Sequence, residues 1–162
     1  MIFKRTSTKE LVSLALIAAA MVIGQVVFAV LPNVEVVSLI VILTTLRFRA
    51  KALFPIYVFV LLEGLLYGFG IWWMSYLYVW TVLWAITMLF SDSEDPLLFA
   101  LIAALFGLMF GALTAIPYLF GGIGMAITYF VRGVSFDLVH CVANFAVVLV
   151  LFKPLYAVFK RI

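Results

Sequence analysis

Long apolar runs, broken by short polar or glycine-containing stretches, fill this sequence from residue 11 onward. A transmembrane helix takes ~20 predominantly apolar residues. Lipid gives backbone polar groups no partners, so a spanning segment must be a helix or belong to a closed barrel. A barrel would show alternating strands of ~10 residues, whereas these runs are unbroken, and they predict helices. The breaks divide the chain into six of them. The first covers residues 11–30 and stops at Leu31-Pro32-Asn33. The second, residues 34–46, is short for a span and is expected to lean on protein rather than lipid. Arg47, Arg49 and Lys51 mark a loop, and residues 52–67 form the third helix, ending at Gly68-Phe69-Gly70. Residues 72–90 form the fourth, ending at the polar stretch 91–96. The fifth covers 97–117, followed by Gly121-Gly122-Ile123-Gly124 and a partly apolar segment to Arg132, and the sixth covers 135–155.

Composition agrees. Of 162 residues, 69% are hydrophobic and 10% charged, more apolar surface than a soluble domain can hide. Six spans with short loops leave no room for a soluble catalytic domain. The fold class expected is therefore all-α, a single polytopic membrane domain over residues 1–162. Lys4, Arg5 and Lys9 before an apolar run mimic a signal peptide. The run is a full span long and leads into further spans, so it reads as uncleaved.

The net charge of +3 matters less than its placement. With the N-terminus inside, Lys4, Arg5, Lys9, Arg47, Arg49, Lys51, Lys153, Lys160 and Arg161 all fall at inner ends, and only Arg132 falls outside. That asymmetry puts both termini in the cytoplasm of a bacterial-type plasma membrane. The acidic 91–95 loop is also inside, which the rule permits.

Polar residues within spans are expensive and normally face a cavity or a partner. Glu35 opens the second helix at its outer end. Glu63, twelve residues after Lys51, lies about 18 Å along the third helix at ~1.5 Å per residue. Asp137, His140 and Asn144 share one face of the sixth helix near its outer start. Their common depth reads as an outward-facing site. Each also has a plainer role: Glu35 favours a helix N-terminus, Glu63 suits pairing with Arg132 or another helix, Asp137 suits pairing with Arg132 or capping the start of the sixth helix, and His140 and Asn144 suit interhelical hydrogen bonds. Tyr67, Trp72, Trp73, Tyr76, Tyr78, Trp80 and Trp84 crowd the same outer region, either as an interfacial belt or as an aromatic wall for a flat, polar-edged ligand. Trp72 and Trp73 cannot face the same way on a helix, so one is expected to meet lipid. The glycines at 68, 70, 121, 122 and 124 suit flexible outer loops over such a pocket. On the first helix, Ala15 and Ala19, and Ala20 and Gly24, are spaced one turn apart, letting another helix approach closely within the bundle or from a second protein.

Other chemistry is missing from the sequence. It contains no G-x-x-x-x-G-K-[ST] phosphate loop and no H-E-x-x-H. One histidine and one cysteine, Cys141, give no multi-histidine or multi-thiolate metal site and no disulfide within the chain, so no metal is assigned. Ser135 and His140 lack the G-x-S-G setting of a serine intramembrane protease, and only Asp137 is available at depth for an aspartyl one. No basic face exists for nucleic acid outside the membrane-flanking clusters. The chain is not expected to be an enzyme by itself.

With these residues in view, the whole chain resembles the substrate-binding S component of energy-coupling factor (ECF) vitamin transporters. Leu14-Ala15-Leu16-Ile17-Ala18-Ala19-Ala20 is similar to the family's A-x-x-x-A coupling stretch. Leu31-Pro32-Asn33-Val34-Glu35 resembles the first outer loop. Residues 136–145 resemble its D-x-x-H-x-x-x-N segment, with Ala143 where glycine is frequent, followed by Lys153-Pro154-Leu155. The resemblance implies an ABC-type import complex in which this chain binds a small vitamin or precursor tightly from outside. A transmembrane coupling protein and two cytoplasmic ATPase subunits supply the energy, so ATP is used by partners and no cofactor belongs to this chain. It maps Asp137, His140 and Asn144 to the binding wall and Ala15 and Ala19 to partner docking. Glu35, Glu63, Trp72, Trp73, Tyr76 and Trp80 join the site from depth. A vitamin B6 form or hydroxymethylpyrimidine is the first choice of ligand. The alternative is a stand-alone proton-coupled small-molecule transporter using Glu63.

Overall fold

The computed structural model describes residues 6–31 and 34–162. Lys4 and Arg5 of the basic N-terminus, and Pro32 and Asn33 of the first outer loop, lie outside the described residues. The elements are helical: α1 (Thr8–Phe28), α2 (Val37–Phe48), α3 (Leu53–Tyr67), α4 (Ile71–Leu89), α5 (Pro96–Ala115) and α6 (Ile123–Phe159), with 3₁₀ turns at Arg49–Ala52 and Ile116–Gly121. Five stretches are long and apolar enough to cross a membrane: Thr8–Phe28, Val37–Tyr67, Ile71–Leu89, Pro96–Gly121 and Ile123–Phe159.

Local chemistry sets several of the ends. The Ser7 hydroxyl accepts the Glu10 N–H at 3.2 Å to cap α1. Asp95 accepts the Leu97 N–H at 3.0 Å, and Pro96 supplies the fixed φ suited to the first turn of α5. Gly68 (φ 88°) and Gly122 (φ 101°) turn the chain where a side chain would be strained.

The stretch Val37–Tyr67 is not one rod, because the chain reverses at the turn Arg49–Ala52. Lys51 in that turn pairs with Glu10 at the start of α1 (2.7 Å), whereas Val36 at the opposite end of α2 packs on Gly24 late in α1. α3 then runs back beside α4: the Tyr57 hydroxyl meets Thr81 (2.9 Å), and the Trp73 indole donates to the Val60 carbonyl (2.8 Å). Successive helices therefore alternate in direction. One end of the bundle collects Glu10, Arg47, Arg49, Lys51 and Lys160, tied by Arg49–Asp92 (2.9 Å), Lys160–Glu94 (2.6 Å) and a bond from Arg47 to the Phe159 carbonyl (3.1 Å). The other end holds Glu35, the Gly68–Gly70 turn and the turn from α5 into α6.

α2 is the axis of the bundle. Only Ile40 and Arg47 of its twelve residues escape full burial, as its shortness predicts. The helices α1, α4, α5 and α6 pack around it. Around it Phe59, Trp80, Phe99 and Phe152 are nearly inaccessible. Hydroxyls inside the bundle bond to their own helices: Thr44 to the Ile40 carbonyl (2.6 Å), Thr45 to Val41 (2.7 Å) and Thr87 to Leu83 (2.8 Å).

The sixth helix differs from expectation. It is continuous from Ile123 to Phe159, so the separate segment ending at Arg132 does not exist, and Gly124, Arg132 and Gly133 are helical. Glycine is tolerated within membrane helices when neighbours support the backbone. At ~1.5 Å per residue α6 is about 55 Å long against a hydrocarbon core of about 30 Å. It must tilt or stand clear of the hydrocarbon over part of its length.

α5 and α6 form the closest helix pair. A Cβ added at Gly107 would lie 2.9 Å from the His140 backbone, and one at Gly111 would collide with the Asp137 carboxyl. Gly107-x-x-x-Gly111 is thus the small-residue seam that admits α6. Gly107→Ala should destabilise the protein by about 1–3 kcal/mol through overpacking. Gly133→Ala, whose Cβ meets nothing, should stabilise it by about 0.5–1 kcal/mol. Thermal unfolding of the detergent-solubilised variants checks both signs.

Candidate functional site

A polar cluster crosses from α2 to α6 within this apolar bundle. Glu35 stands just before α2 and is almost fully buried. Its Oε2 accepts the Ser38 N–H at 2.8 Å, capping the helix, and its Oε1 meets His140 Nε2 at 3.3 Å. One turn further down α6, the Asn144 amide donates to Ser38 Oγ (3.2 Å) and to the Ala103 carbonyl of α5 (3.4 Å). The helix-end role weighed for Glu35 is filled by one carboxylate oxygen, and the other oxygen meets His140.

Asp137 occupies the same face of α6 one turn before His140. It lies well inside the helix, so it does not cap the start. It also does not pair with Arg132, which is exposed. Instead Asp137 Oδ1 accepts the Gly111 N–H at 3.0 Å. Four buried polar atoms have no partner among the described residues: Asp137 Oδ2, Asn144 Oδ1, Glu63 Oε1 and Trp80 Nε1.

Two cavities adjoin the cluster. One of ≈ 290 Å³ is bounded by Gln25, Leu31, Glu35, Tyr76 and Trp80. The other, ≈ 700 Å³, lies between the end of α5, the turn Ile116–Gly121 and the first half of α6, with Thr114, Tyr118, Tyr129, Arg132 and Asp137 on its walls. Phe110 and His140 line both. Their rings meet edge to face at 5.0 Å and form the partition between them.

The aromatic residues divide differently from their depth. Trp80 and Tyr76 line the smaller cavity, their rings perpendicular at 5.5 Å. Trp72 lines neither, and rests edge-on against Tyr76 at 5.2 Å. Trp73 is held between α3 and α4 by its bond to Val60 and by the Phe69 ring at 4.9 Å. It lines neither cavity. Both tryptophans are half-buried. Glu63 is buried and does not line the smaller cavity. Sequence reasoning missed Ser38, Phe110, Gly111 and Tyr129. The signal for Gly111 was its spacing from Gly107.

Ser135 is exposed while His140 is buried, so the two do not form a nucleophile–base pair. Among the described residues, no three His, Cys, Asp or Glu side chains gather closely enough to share a metal ion. On α1, Ala15, Leu16, Ala19 and Ala20 are exposed, a face used by no other helix of the bundle. No family model, curated protein or solved structure matches the chain.

Glu35 and His140 should be coupled. In a double-mutant cycle of Glu35→Gln and His140→Ala, followed by unfolding in detergent, a coupling of about 0.5–3 kcal/mol is expected. Strict additivity would contradict the pair.

Proposed function

We propose that this chain crosses the bilayer six times with both termini in the cytoplasm and captures a small vitamin or vitamin precursor from outside. In this reading it is the S component of an ECF-type importer in a bacterial-type plasma membrane. A transmembrane coupling protein and two ATPase subunits supply the energy. One observation carries the reading: buried Glu35 and His140 meet beside two cavities at the end of the bundle opposite the basic cluster, with Asn144 bonded to Ser38 one turn further along. Positive charge favours the cytoplasmic side, so the cavities belong to the outer half. Hydrogen-bonding groups on aromatic and apolar walls suit a flat, polar-edged heterocycle such as a vitamin B6 form or hydroxymethylpyrimidine.

The exposed alanines of α1 support a partner. A small-residue face on a membrane helix admits close helix contact, and Ala15 and Ala19 are not spent on this bundle. Substituting both by Trp should abolish ATP-dependent uptake and co-purification with the coupling protein, while the isolated chain still binds ligand. Unchanged uptake would remove the docking assignment.

A second reading has its own observation: Glu63, buried in α3 with one oxygen unpartnered, is a candidate proton carrier. Uptake by the chain alone that collapses with an uncoupler, and is lost in Glu63→Gln, would favour that reading over a subunit powered by partners.

A further inference from the structure

The larger cavity carries a charge pattern more specific than a generic heterocycle site. Asp137 is 6% exposed, yet Oδ2 has no partner while Oδ1 is fixed by the Gly111 N–H. A buried carboxyl oxygen held in this way calls for an N–H donor, above all a cationic one. Gly111 makes the arrangement possible, because any side chain there would displace the carboxyl. Five residues earlier on α6, Arg132 lines the same cavity and makes no ion pair with any described residue. Its fork suits a carboxylate or phosphate. The same cavity is walled by Tyr118 and Tyr129, stacked at 4.1 Å, and by the Phe110 ring. Aromatic faces of this kind accept a flat, positively charged ring or ammonium group.

Resting on the capture reading above, we propose that the α5–α6 cavity selects an amphoteric nitrogen compound, with a protonated N–H group on Asp137 Oδ2 and an acidic group on Arg132. Glu35 and His140 satisfy each other, and of the two only His140 lines this cavity, which leaves Asp137 as its charged inner contact. A neutral ligand of the same shape would leave the Asp137 oxygen unpaired and lose affinity for that reason.

The test uses the purified full chain in detergent and four probes on one ring: pyridoxamine 5′-phosphate, pyridoxamine, pyridoxine 5′-phosphate and pyridoxine. Calorimetric titration should rank the amine-phosphate tightest. Asp137→Asn, which keeps an oxygen for the Gly111 N–H, should weaken the amines about 10-fold or more. It should affect the alcohols less. Arg132→Gln should weaken only the two phosphates, by about 3–10-fold. Arg132 is exposed, so this variant carries the test even if Asp137→Asn fails to fold. If all four bind without charge preference, or Arg132→Gln leaves the phosphate preference intact, the charge assignment is overturned and capture of a heterocycle stands. If none of the four binds to the wild-type chain, this inference and the first choice of ligand fall together.

Discussion

A polar side chain inside a bundle surrounded by lipid has only the rest of the bundle to bond with, and this constraint organises the protein around α2. That helix is too short to span a membrane and is enclosed by its neighbours. Glu35 bonds both to the α2 backbone and to His140, and Ser38 bonds to Asn144 one turn along. The α2–α6 register is therefore specified by hydrogen bonds as well as by packing. Sliding α6 by a turn would strand four buried groups, each costing about 1–3 kcal/mol. The hydroxyls elsewhere in the core avoid the problem by bonding to their own helices.

A second constraint follows at α5. For His140 and Asp137 to reach the cluster, α6 must approach α5 closely, and Gly107 and Gly111 remove the side chains that would prevent it. The same closeness lets a backbone N–H of α5 bind one Asp137 oxygen and leaves the other free. Beyond this contact the larger cavity lies between the end of α5 and the first half of α6. Packing and site are thus produced by the same pair of glycines.

The helical fold and most helix positions were legible from apolar run length, since lipid requires both. The short second helix was legible as buried for the same reason. Depth along a helix was readable too, and it brought Glu35, His140 and Asn144 to one level. Direction around the helix axis was not. Trp73 has the depth of the site but is bonded to α3, and Glu63 lines neither of the two cavities, because apolar helices carry little periodicity to mark which side faces the interior. The sixth helix was cut short because Gly124, Arg132 and Gly133 look like breaks in a sequence, whereas α5 and the turn before α6 support a continuous helix. Ser38 and Phe110 were unmarked because a serine or phenylalanine in an apolar run carries no signal of its partner.

The central claim is that this chain captures a ligand at the α2–α6 polar cluster and leaves the energy to others. Mass spectrometry of the small molecules released when protein purified alone from cells is denatured tests it most directly. The wild-type chain should release one nitrogen heterocycle in near-stoichiometric amount, and a folded His140→Ala, Asn144→Ala variant should release none. A wild-type chain carrying only lipid, or a double variant that retains the same heterocycle, would contradict it.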